Sequence, residues 1–211
     1  MERKGYLDGK EMAGAFRPLR SNSLIWHYVV QSWLYGETPP PFDVLYWNMD
    51  TTRMPQAMHA WYLNELYLHN RLIQAGALVV AGEPIDLSEI RQALYAVAAE
   101  DDHIAPWAQA FKVVNHVVAE KRFVLSSSGH ILGIVNPPAK PPKRRYWADT
   151  AHRADQSGVW HARATEHAGT WWEDWMVWLK PRAGDLVDAR PLATTDFPAL
   201  APAPGTYVLE A

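Results

Sequence analysis

The sequence lacks three features, and each absence excludes a class of protein. It contains no cysteine in 211 residues, so disulfide bonds and thiolate zinc sites are excluded. It has no apolar run approaching the ~18 residues of a spanning helix, which predicts no membrane span. Its 20 basic and 23 acidic residues give a formal net charge of -3, so a nucleic-acid partner is not expected. The hydrophobic fraction of 48% is typical of one globular unit.

Tryptophan is the residue that the sequence has in excess, with eleven copies. Such enrichment indicates aromatic packing, an interface or a site for an amphipathic ligand, and plain core packing accounts for most of it. The clearest local pattern is TWWEDWMVWLK, where Thr170 and Glu173 predict a capping box at a helix start. Trp171, Trp175 and Trp178 recur on one face of that helix, which favours a docking face over a cofactor site.

The apolar runs, and the glycines and prolines that interrupt them, predict a mainly helical first third followed by alternating strands and helices. We predict helices over residues 21–34, 56–72 and 106–118, and a short helix over 158–168. We predict strands over 94–99 and 122–127, a short strand in VLYW (44–47), and small strands or turns over 77–90. NPPAKPPKRRYW (136–147) is typical of an exposed loop. The strand–helix–strand order favours parallel strands joined by a right-handed crossover.

Two polar clusters follow the predicted strands. AEDDHI places Asp102 after the first strand, and SSSGHI places His130 after the second, 28 positions later. In α/β-hydrolases the acid and the histidine of the triad lie on loops after successive late strands. The carboxylate would orient the imidazole, and the histidine would carry the proton of a nucleophile. Gly129 would allow the tight loop that aims the ring.

Other interpretations of these clusters stay open. Acidic loops at strand ends are common without any catalytic role, so spacing alone does not establish the pair. A metal site at Asp101, Asp102 and His103 is less favoured, because adjacent side chains diverge and no second ligand motif accompanies them. We expect seven other histidines to be packing or surface residues: His27, His59, His69, His116, His152, His161 and His167.

The nucleophile of a triad is missing. The chain order requires it before Asp102, usually in a GxSxG or GxCxG elbow, yet there is no cysteine and none of the eight serines lies between such glycines. The oxyanion hole, which uses the backbone N–H after the nucleophile, is missing with it. The sequence therefore supplies two members of a triad.

Longer segments are more specific than this spacing. They run through nearly the whole chain: GYLDGKEMA, LIWHYVVQSWLYGETPPPFDVLYWNMDTTRMP, MHAWYLNELYLHN, EDDHIAPW, RFVLSSSGHILGIVNPPAK, WWEDWMVWL and APAPGTYV. In these segments the sequence resembles the C-terminal part of the poly(3-hydroxyalkanoate) synthases, closest to the class I enzymes. The resemblance implies an α/β-hydrolase-like fold with a mainly helical cap, whose early strands and nucleophile elbow this chain does not contain.

The resemblance also implies an activity and its residues. These enzymes are acyltransferases that polymerise (R)-3-hydroxyacyl-CoA, release CoA and carry the chain on a cysteine. The aspartate of the DHI motif falls on Asp102 and the histidine of the SGHI motif on His130. Lys143, Arg144 and Arg145 are candidates for contact with CoA phosphates. The resemblance implies no cofactor, no metal, and a homodimer formed through the cap.

The resemblance assigns regions and a location. Residues 1–75 would be cap and connector, 76–140 the late strands with the Asp and His loops, and 141–211 a Trp-rich helical tail. We expect a cytoplasmic protein, with the surface of polymer granules as a further location.

The sequence departs from the family in two places. The cysteine elbow has no counterpart, so we expect Met1 to be an internal methionine of a longer protein and the chain alone to be inactive. Ala93 stands where the family pattern suggests proline. A noncatalytic subunit that docks a complementary chain or a polymer granule is the alternative function, and a fragment of another acyltransferase or esterase is a third.

Overall fold

A computed structural model of the chain describes residues 3–16, 18, 21–39, 51–202 and 205–206. The chain divides into two compact units. The first comprises Met1–Leu94, Lys112–Lys121 and Ala151–Gln156, and the second comprises Tyr95–Phe111, Arg122–Thr150 and Ser157–Ala211. In the described parts of the chain, no helix has the length and apolar character needed to cross a membrane.

The described residues before Gly76 are mainly helical, as the sequence predicts for the first third of the chain, and short strands and turns follow them. The regular elements are β1 (Tyr6–Leu7), α1 (Gly9–Phe16), π-helical segments at Asn22–Trp26 and Val29–Leu34, β2 (Met54–Pro55), α2 (Gln56–Trp61), a π-helical segment at Tyr62–Leu68, 3₁₀ turns at Arg71–Ile73 and Leu87–Glu89, β3 (Val79–Val80) and β4 (Glu83–Pro84). Strand β1 pairs with β2 and β3 pairs with β4, both antiparallel. The helical segment Val29–Leu34 has Tyr35 as its C-cap and is followed by Gly36, whose φ of 69° is the left-handed conformation common after a helix. The strand predicted at 44–47 lies outside the described residues.

From residue 94 onward the chain forms a four-stranded sheet with helices. The elements are β5 (Leu94–Asp101), α3 (Trp107–Ala110) extended by a 3₁₀ turn (Phe111–Asn115), β6 (Lys121–Gly129), α4 (Leu132–Val135), β7 (Arg145–Thr150), α5 (Ser157–Arg163), β8 (Thr165–Ala168), α6 (Trp171–Leu179) and a 3₁₀ turn (Lys180–Arg182). The strand order is β5-β6-β7-β8, and β7 runs antiparallel to both β6 and β8. Helices and sheet together are compatible with the predicted α/β class, and the predicted strands at 94–99 and 122–127 are confirmed.

Two elements of the sheet correct the sequence prediction. Strand β7 begins at Arg145, inside the segment predicted as a loop. The helix predicted over 158–168 ends at Arg163, and β8 follows it. Strand β8 has the sequence TEHA, which lacks apolar alternation because it is a largely exposed edge strand. The pairing with β7 determines the extended conformation of β8, and a local sequence pattern does not reveal such pairing.

Both faces of the sheet are covered within the second unit. Consecutive side chains of a strand point to opposite faces, so Phe123 and Val124 of β6 enter two separate cores. Phe123 contacts Phe111 and Trp160, with ring centroids 4.8 and 5.0 Å away. Val124 packs in a cluster with Tyr146, Ala148 and Trp171, flanked by Tyr95, Val97 and Trp175. Burial on both faces explains why β6 has an apolar run instead of an alternating pattern.

The tryptophan face of α6 packs on its own unit. Trp171 is 6% exposed in the core, Trp175 packs against the same cluster, and Trp178 contacts the Tyr95 ring at 5.2 Å. The docking surface for this face is therefore the sheet that contains Tyr95. Thr170 is the N-cap of α6, as predicted. Its hydroxyl accepts a hydrogen bond from the N–H of Trp172, and this bond is long at 3.4 Å.

A polar cluster fixes α6 to β5 and β6. The Tyr95 hydroxyl donates to Asp174 Oδ2 at 2.8 Å, and Arg122 Nε donates to the same oxygen at 2.7 Å. Arg122 Nη2 donates to Asp174 Oδ1, which completes a bidentate pair. Burial raises the pKa of Asp174, but the hydrogen bonds from Arg122 and Tyr95 outweigh it and hold the pKa below its ordinary value. Burial and the bond to Asp174 raise the pKa of Tyr95.

Candidate active site

Asp102 and His130 form a hydrogen-bonded pair. His130 Nδ1 and Asp102 Oδ2 are 2.9 Å apart. The Asp102 side chain is 8% exposed and the His130 side chain is 40% exposed. Asp102 comes one residue after β5 and His130 one residue after β6, and these strands are neighbours in the sheet. Adjacent strand ends therefore bring together two residues that are 28 positions apart in the sequence.

The carboxylate of Asp102 is oriented by the backbone that follows it. Its second oxygen, Oδ1, accepts hydrogen bonds from the N–H groups of Ile104 and Ala105, both at 2.9 Å. Desolvation raises the pKa of Asp102, but the bonds from Ala105, His130 and Ile104 together hold it below its ordinary value. The side chain is therefore an ionised acceptor at neutral pH, with Oδ1 used by the backbone and Oδ2 by the imidazole.

Strained backbone forms the turn that carries His130. Ile131 has φ 69° and ψ -66°, and the N–H of Leu132 donates to the carbonyl of His130 at 2.8 Å. These values define a γ-turn of the rare, strained type. Ser128, two residues before His130, has a φ of 87°. The sequence predicts that Gly129 allows this tight loop, and the positive φ angles lie at Ser128 before it and at Ile131 after His130.

Three consecutive residues at the start of α6 hold the segment after His130. Thr170 Oγ1 donates to the carbonyl of Asn136 at 2.6 Å. The indole N–H groups of Trp171 and Trp172 donate to the carbonyls of Ile134 and Val135 at 2.9 and 3.0 Å. The last carbonyls of a helix have no partner within the helix. These three donors satisfy carbonyls at the end of the single turn α4, which begins two residues after His130.

The pair has a defined acid–base chemistry. Because Asp102 is an ionised acceptor, the neutral imidazole carries its proton on Nδ1, and Nε2 keeps a lone pair that can accept a proton. Since the His130 side chain is 40% exposed, the ring is open to a group outside this unit. The arrangement can therefore serve as a general base and then as a general acid.

The neighbouring polar residues have no comparable partner in the described structure. Glu100 and Asp101 are the last residues of β5. His103 is exposed, and its ring centroid lies 6.4 Å from that of His130. Among the described residues there is no group of three or more His, Cys, Asp or Glu side chains that could hold a metal ion. Asp101, Asp102 and His103 therefore do not converge on a metal position in the described structure.

Some of the other histidines pack on aromatic rings, as the sequence analysis expects. His161 contacts Trp107 and Trp147, with centroids 5.8 and 5.0 Å away. His167 stacks on Tyr146 at 5.0 Å. These contacts are typical of packing histidines.

The basic run separates into two environments. The Arg145 guanidinium lies 4.9 Å above the Trp147 ring and 3.6 Å from a Glu166 oxygen. Lys143 and Arg144 line a cavity that also includes Ser127 and Ser128 of β6. Arg145 therefore has an acidic partner on β8, whereas its two neighbours in the basic run face the cavity.

Sequence reasoning missed two sets of positioning groups. The N–H groups of Ile104 and Ala105 were detectable in principle, because an aspartate in a turn commonly accepts a hydrogen bond from the backbone N–H two residues later. The donors Thr170, Trp171 and Trp172 had no such signal, because their acceptors lie 34 to 37 positions away in the sequence.

Comparisons with known proteins identify relatives over nearly the whole chain. The chain is 44% identical over 204 residues to the poly(3-hydroxyalkanoate) polymerase subunit PhaC of Cupriavidus necator, which is 96% of this chain and 34% of that protein. It is 44% identical over 209 residues to the poly(3-hydroxyalkanoate) polymerase of Methylorubrum extorquens, which is 99% of this chain and 34% of that protein. The PhaC subunit of Rhizobium meliloti is 43% identical over 208 residues, or 99% of this chain and 33% of that protein.

The similarity covers nearly all of this chain but only part of each relative. No protein-family model matches the sequence. The chain spans about a third of the length of the curated relatives that it matches. The resemblance found in the sequence motifs is confirmed: the chain is homologous to the C-terminal part of the poly(3-hydroxyalkanoate) polymerase family.

Proposed function

We propose that this chain supplies the aspartate and histidine of a Cys–His–Asp triad in a polyhydroxyalkanoate synthase. The whole enzyme would polymerise (R)-3-hydroxyacyl-CoA into a polyester with release of CoA. The observation that carries the proposal is the 2.9 Å contact between His130 Nδ1 and Asp102 Oδ2 at the ends of neighbouring strands. The similarity to poly(3-hydroxyalkanoate) polymerases supports the choice of reaction.

The proposed first half-reaction assigns one task to each residue. His130 Nε2 takes the proton of the cysteine thiol, and the thiolate attacks the acyl carbon of the acyl-CoA thioester. Asp102 stabilises the imidazolium that forms. When the carbon–sulfur bond to CoA breaks, the CoA sulfur takes the proton from Nε2. The products are free CoA and an acyl group bound to the cysteine as a thioester.

The proposed second half-reaction uses the same pair. The 3-hydroxyl of one acyl group attacks the thioester carbon of another, and His130 takes the hydroxyl proton. Asp102 assists by supporting the charge on the ring. The new ester lengthens the chain by one unit, and the proton passes to the sulfur that leaves.

The proposal also assigns each region of the chain to a part of an α/β-hydrolase fold. The sheet would be the late part of an α/β-hydrolase core in residues 76–140, with residues 1–75 as cap and connector and 141–211 as the tail. The cap would form a homodimer in the complete enzyme. The protein would be cytoplasmic and would also occupy the surface of polymer granules.

Complementation tests the proposal. We expect the purified chain alone to release no CoA from 3-hydroxybutyryl-CoA, as measured by free thiol, because it has no cysteine. A polypeptide with a GxCxG elbow and the preceding strands should restore release. His130→Ala in this chain should abolish the restored activity, whereas His103→Ala at the neighbouring exposed ring should retain it. CoA release by this chain alone, lost in His130→Ala, would contradict the proposed division of the triad.

A noncatalytic interaction subunit is the second candidate function. It is favoured by large aromatic side chains exposed in the first unit, including Trp33 at 85% and Tyr67 at 83%, since exposed apolar patches commonly mark interaction surfaces. Under this candidate the chain binds a complementary polypeptide or a polymer granule through these exposed side chains. Trp33→Ser with Tyr67→Ser should then abolish co-purification, whereas His130→Ala should have no effect on it.

A further inference from the structure

A hydrogen bond between two buried side chains closes the loop that carries His130. Asn136 Nδ2 donates to Ser126 Oγ at 3.1 Å. Ser126 belongs to β6 and precedes His130, whereas Asn136 is the C-cap of α4 and follows it. Asn136 is 1% exposed and Ser126 is 0% exposed. Residues 126–136 therefore form a loop whose two ends are joined by a bond that water does not reach.

Asn136 is bonded to three elements of the second unit. Its backbone N–H donates to the carbonyl of Leu132 in α4 at 3.0 Å. Its own carbonyl accepts from the hydroxyl of Thr170, the N-cap of α6, at 2.6 Å. Its side chain reaches Ser126 in β6. Because a buried polar group costs free energy unless it is hydrogen-bonded, each of these bonds opposes movement of the loop end.

The backbone conformation of Asn136 does not by itself explain its side chain. Asn136 has φ 26° and ψ 64°, and asparagine tolerates positive φ better than most other residues. That requirement places no demand on the side chain, since Asn70 has a φ of 47° and is exposed. Asn136 instead buries its amide group and bonds it to β6. The side chain therefore has a role separate from the conformation.

The loop contains strained backbone on both sides of His130. Ser128 has a φ of 87° and Ile131 a φ of 69°. Such conformations persist only where the surrounding structure holds them in place. Since His130 lies between these two residues, movement of either end of the loop would move its ring away from Asp102 Oδ2, which is 2.9 Å from Nδ1.

We propose that Asn136 is a positioning residue for His130 and acts through its hydrogen bond to Ser126. The bond holds the two ends of the loop together, and the closed loop places the imidazole against Asp102. The consequence for catalysis rests on the proposed function, whereas the positioning of the ring does not.

Nitrogen-15 NMR of the neutral His130 imidazole tests the positioning directly. Asn136→Gly removes the amide and keeps access to positive φ, and Ser126→Ala removes a single oxygen atom. In both variants the Nδ1 and Nε2 shifts should move toward each other, because a ring held less firmly against Asp102 populates both tautomers. Asn70→Gly makes the same substitution at an exposed position of positive φ and should leave the His130 shifts unchanged.

The double variant separates positioning from a general loss of stability. Circular dichroism and urea unfolding establish that each variant is folded under the conditions of the NMR experiment. Asn136→Gly combined with Ser126→Ala should change the His130 shifts no more than the larger single change, because both substitutions remove the same bond. Additive changes would overturn the proposal. Parent-like His130 shifts in folded Ser126→Ala would also overturn it, even if the variant is less stable.

Kinetics in the complementation assay separate this inference from the proposed function. In Asn136→Gly, kcat for CoA release should fall about tenfold with KM unchanged, because a misplaced base slows the chemical step without altering substrate binding. Altered His130 shifts with an unchanged kcat would support the positioning and overturn the proposed role of His130. Unaltered shifts with a lowered kcat would overturn the positioning and leave the proposed function standing.

Discussion

Gly133 of α4 lies against Ala99 of β5 so closely that no side chain fits between them. A methyl group placed on Gly133 would be 2.4 Å from the Cβ of Ala99 and 3.1 Å from the carbonyl oxygen of Ser128. The close approach allows the short helix after His130 to pack on the strand that leads to Asp102. The position therefore links the two halves of the candidate site.

Gly133→Ala should destabilise the chain. The added methyl has no room, so either α4 or β5 must move, at a cost of about 1–3 kcal/mol. Urea unfolding measures the change. Gly158→Ala is the matched control, because a methyl there meets nothing within 4 Å and alanine favours the helix in which Gly158 lies. Equal stability of the two variants would contradict the close packing of Gly133.

Asp102→Asn should change the tautomer of His130. An asparagine can present an N–H to Nδ1, so the ring proton would move to Nε2, and the nitrogen proposed as the base would lose its lone pair. Nitrogen-15 NMR of the imidazole distinguishes the two tautomers. Asp101→Asn, at the exposed preceding residue, should leave the His130 spectrum unchanged. An Nδ1–H tautomer in Asp102→Asn would show that another group orients the ring.

Trp172→Phe should loosen the segment after His130. The substitution removes the N–H that donates to the carbonyl of Val135 at 3.0 Å and retains an aromatic ring to stack on Trp171. We expect a loss of about 1 kcal/mol and altered NMR shifts of the His130 ring. Trp178→Phe is the control, because the Trp178 indole N–H is buried without a hydrogen-bond partner. If both variants leave the His130 shifts unchanged, the indole does not position this turn.

Arg122→Met should destabilise the chain in a pH-dependent way. Asp174 would lose its bidentate partner, and because the pair is partly buried and Asp174 keeps the bond from Tyr95, we expect a cost of about 1–3 kcal/mol near pH 7. Because the folded-state pKa of Asp174 is below its ordinary value, the stabilisation from the pair is complete above that ordinary value, about 3.9. It is lost as the pH falls through the folded-state pKa.

Two comparisons check this prediction. Urea unfolding at pH 7 and at pH 3 should show a smaller difference between Arg122→Met and the parent chain at pH 3. Lys4→Met breaks an exposed pair with Glu11 and should change the stability little at either pH, because solvent screens exposed ion pairs. A pH-independent loss in Arg122→Met would mean that its aliphatic packing, not the charge on Asp174, accounts for the effect.

The central elements were predictable because their signals are local. The apolar runs beginning at Leu94 and Phe123 form the two neighbouring strands, and the polar residues just after them form the candidate pair. Spacing alone left the pair ambiguous, and family motifs made it specific. The similarity to known polymerases confirms the resemblance, whereas the catalytic roles of Asp102 and His130 stay predictions.

The remaining features depend on contacts that a local pattern does not contain. Strand β8 is set by pairing with β7. The tryptophan face of α6 was predicted to dock a partner, and its burial on the sheet follows from the tertiary position of Tyr95. The positive φ of Ile131 is unexpected for a β-branched residue, because such a side chain disfavours that conformation. Each of these outcomes reflects tertiary context overriding local preference.

The carbonyls of residues 134–136 accept hydrogen bonds from Thr170, Trp171 and Trp172. These bonds also determine when the candidate site can form during synthesis of the chain. The carbonyls leave the ribosome first, and their donors are added 34 to 37 residues later. At typical elongation rates of roughly 5–20 residues per second, this gap lasts on the order of seconds. During that time Asp102 and His130 have both been synthesised, but the turn between β6 and α4 lacks its supports. The candidate site therefore reaches its final geometry only after the start of α6 has emerged.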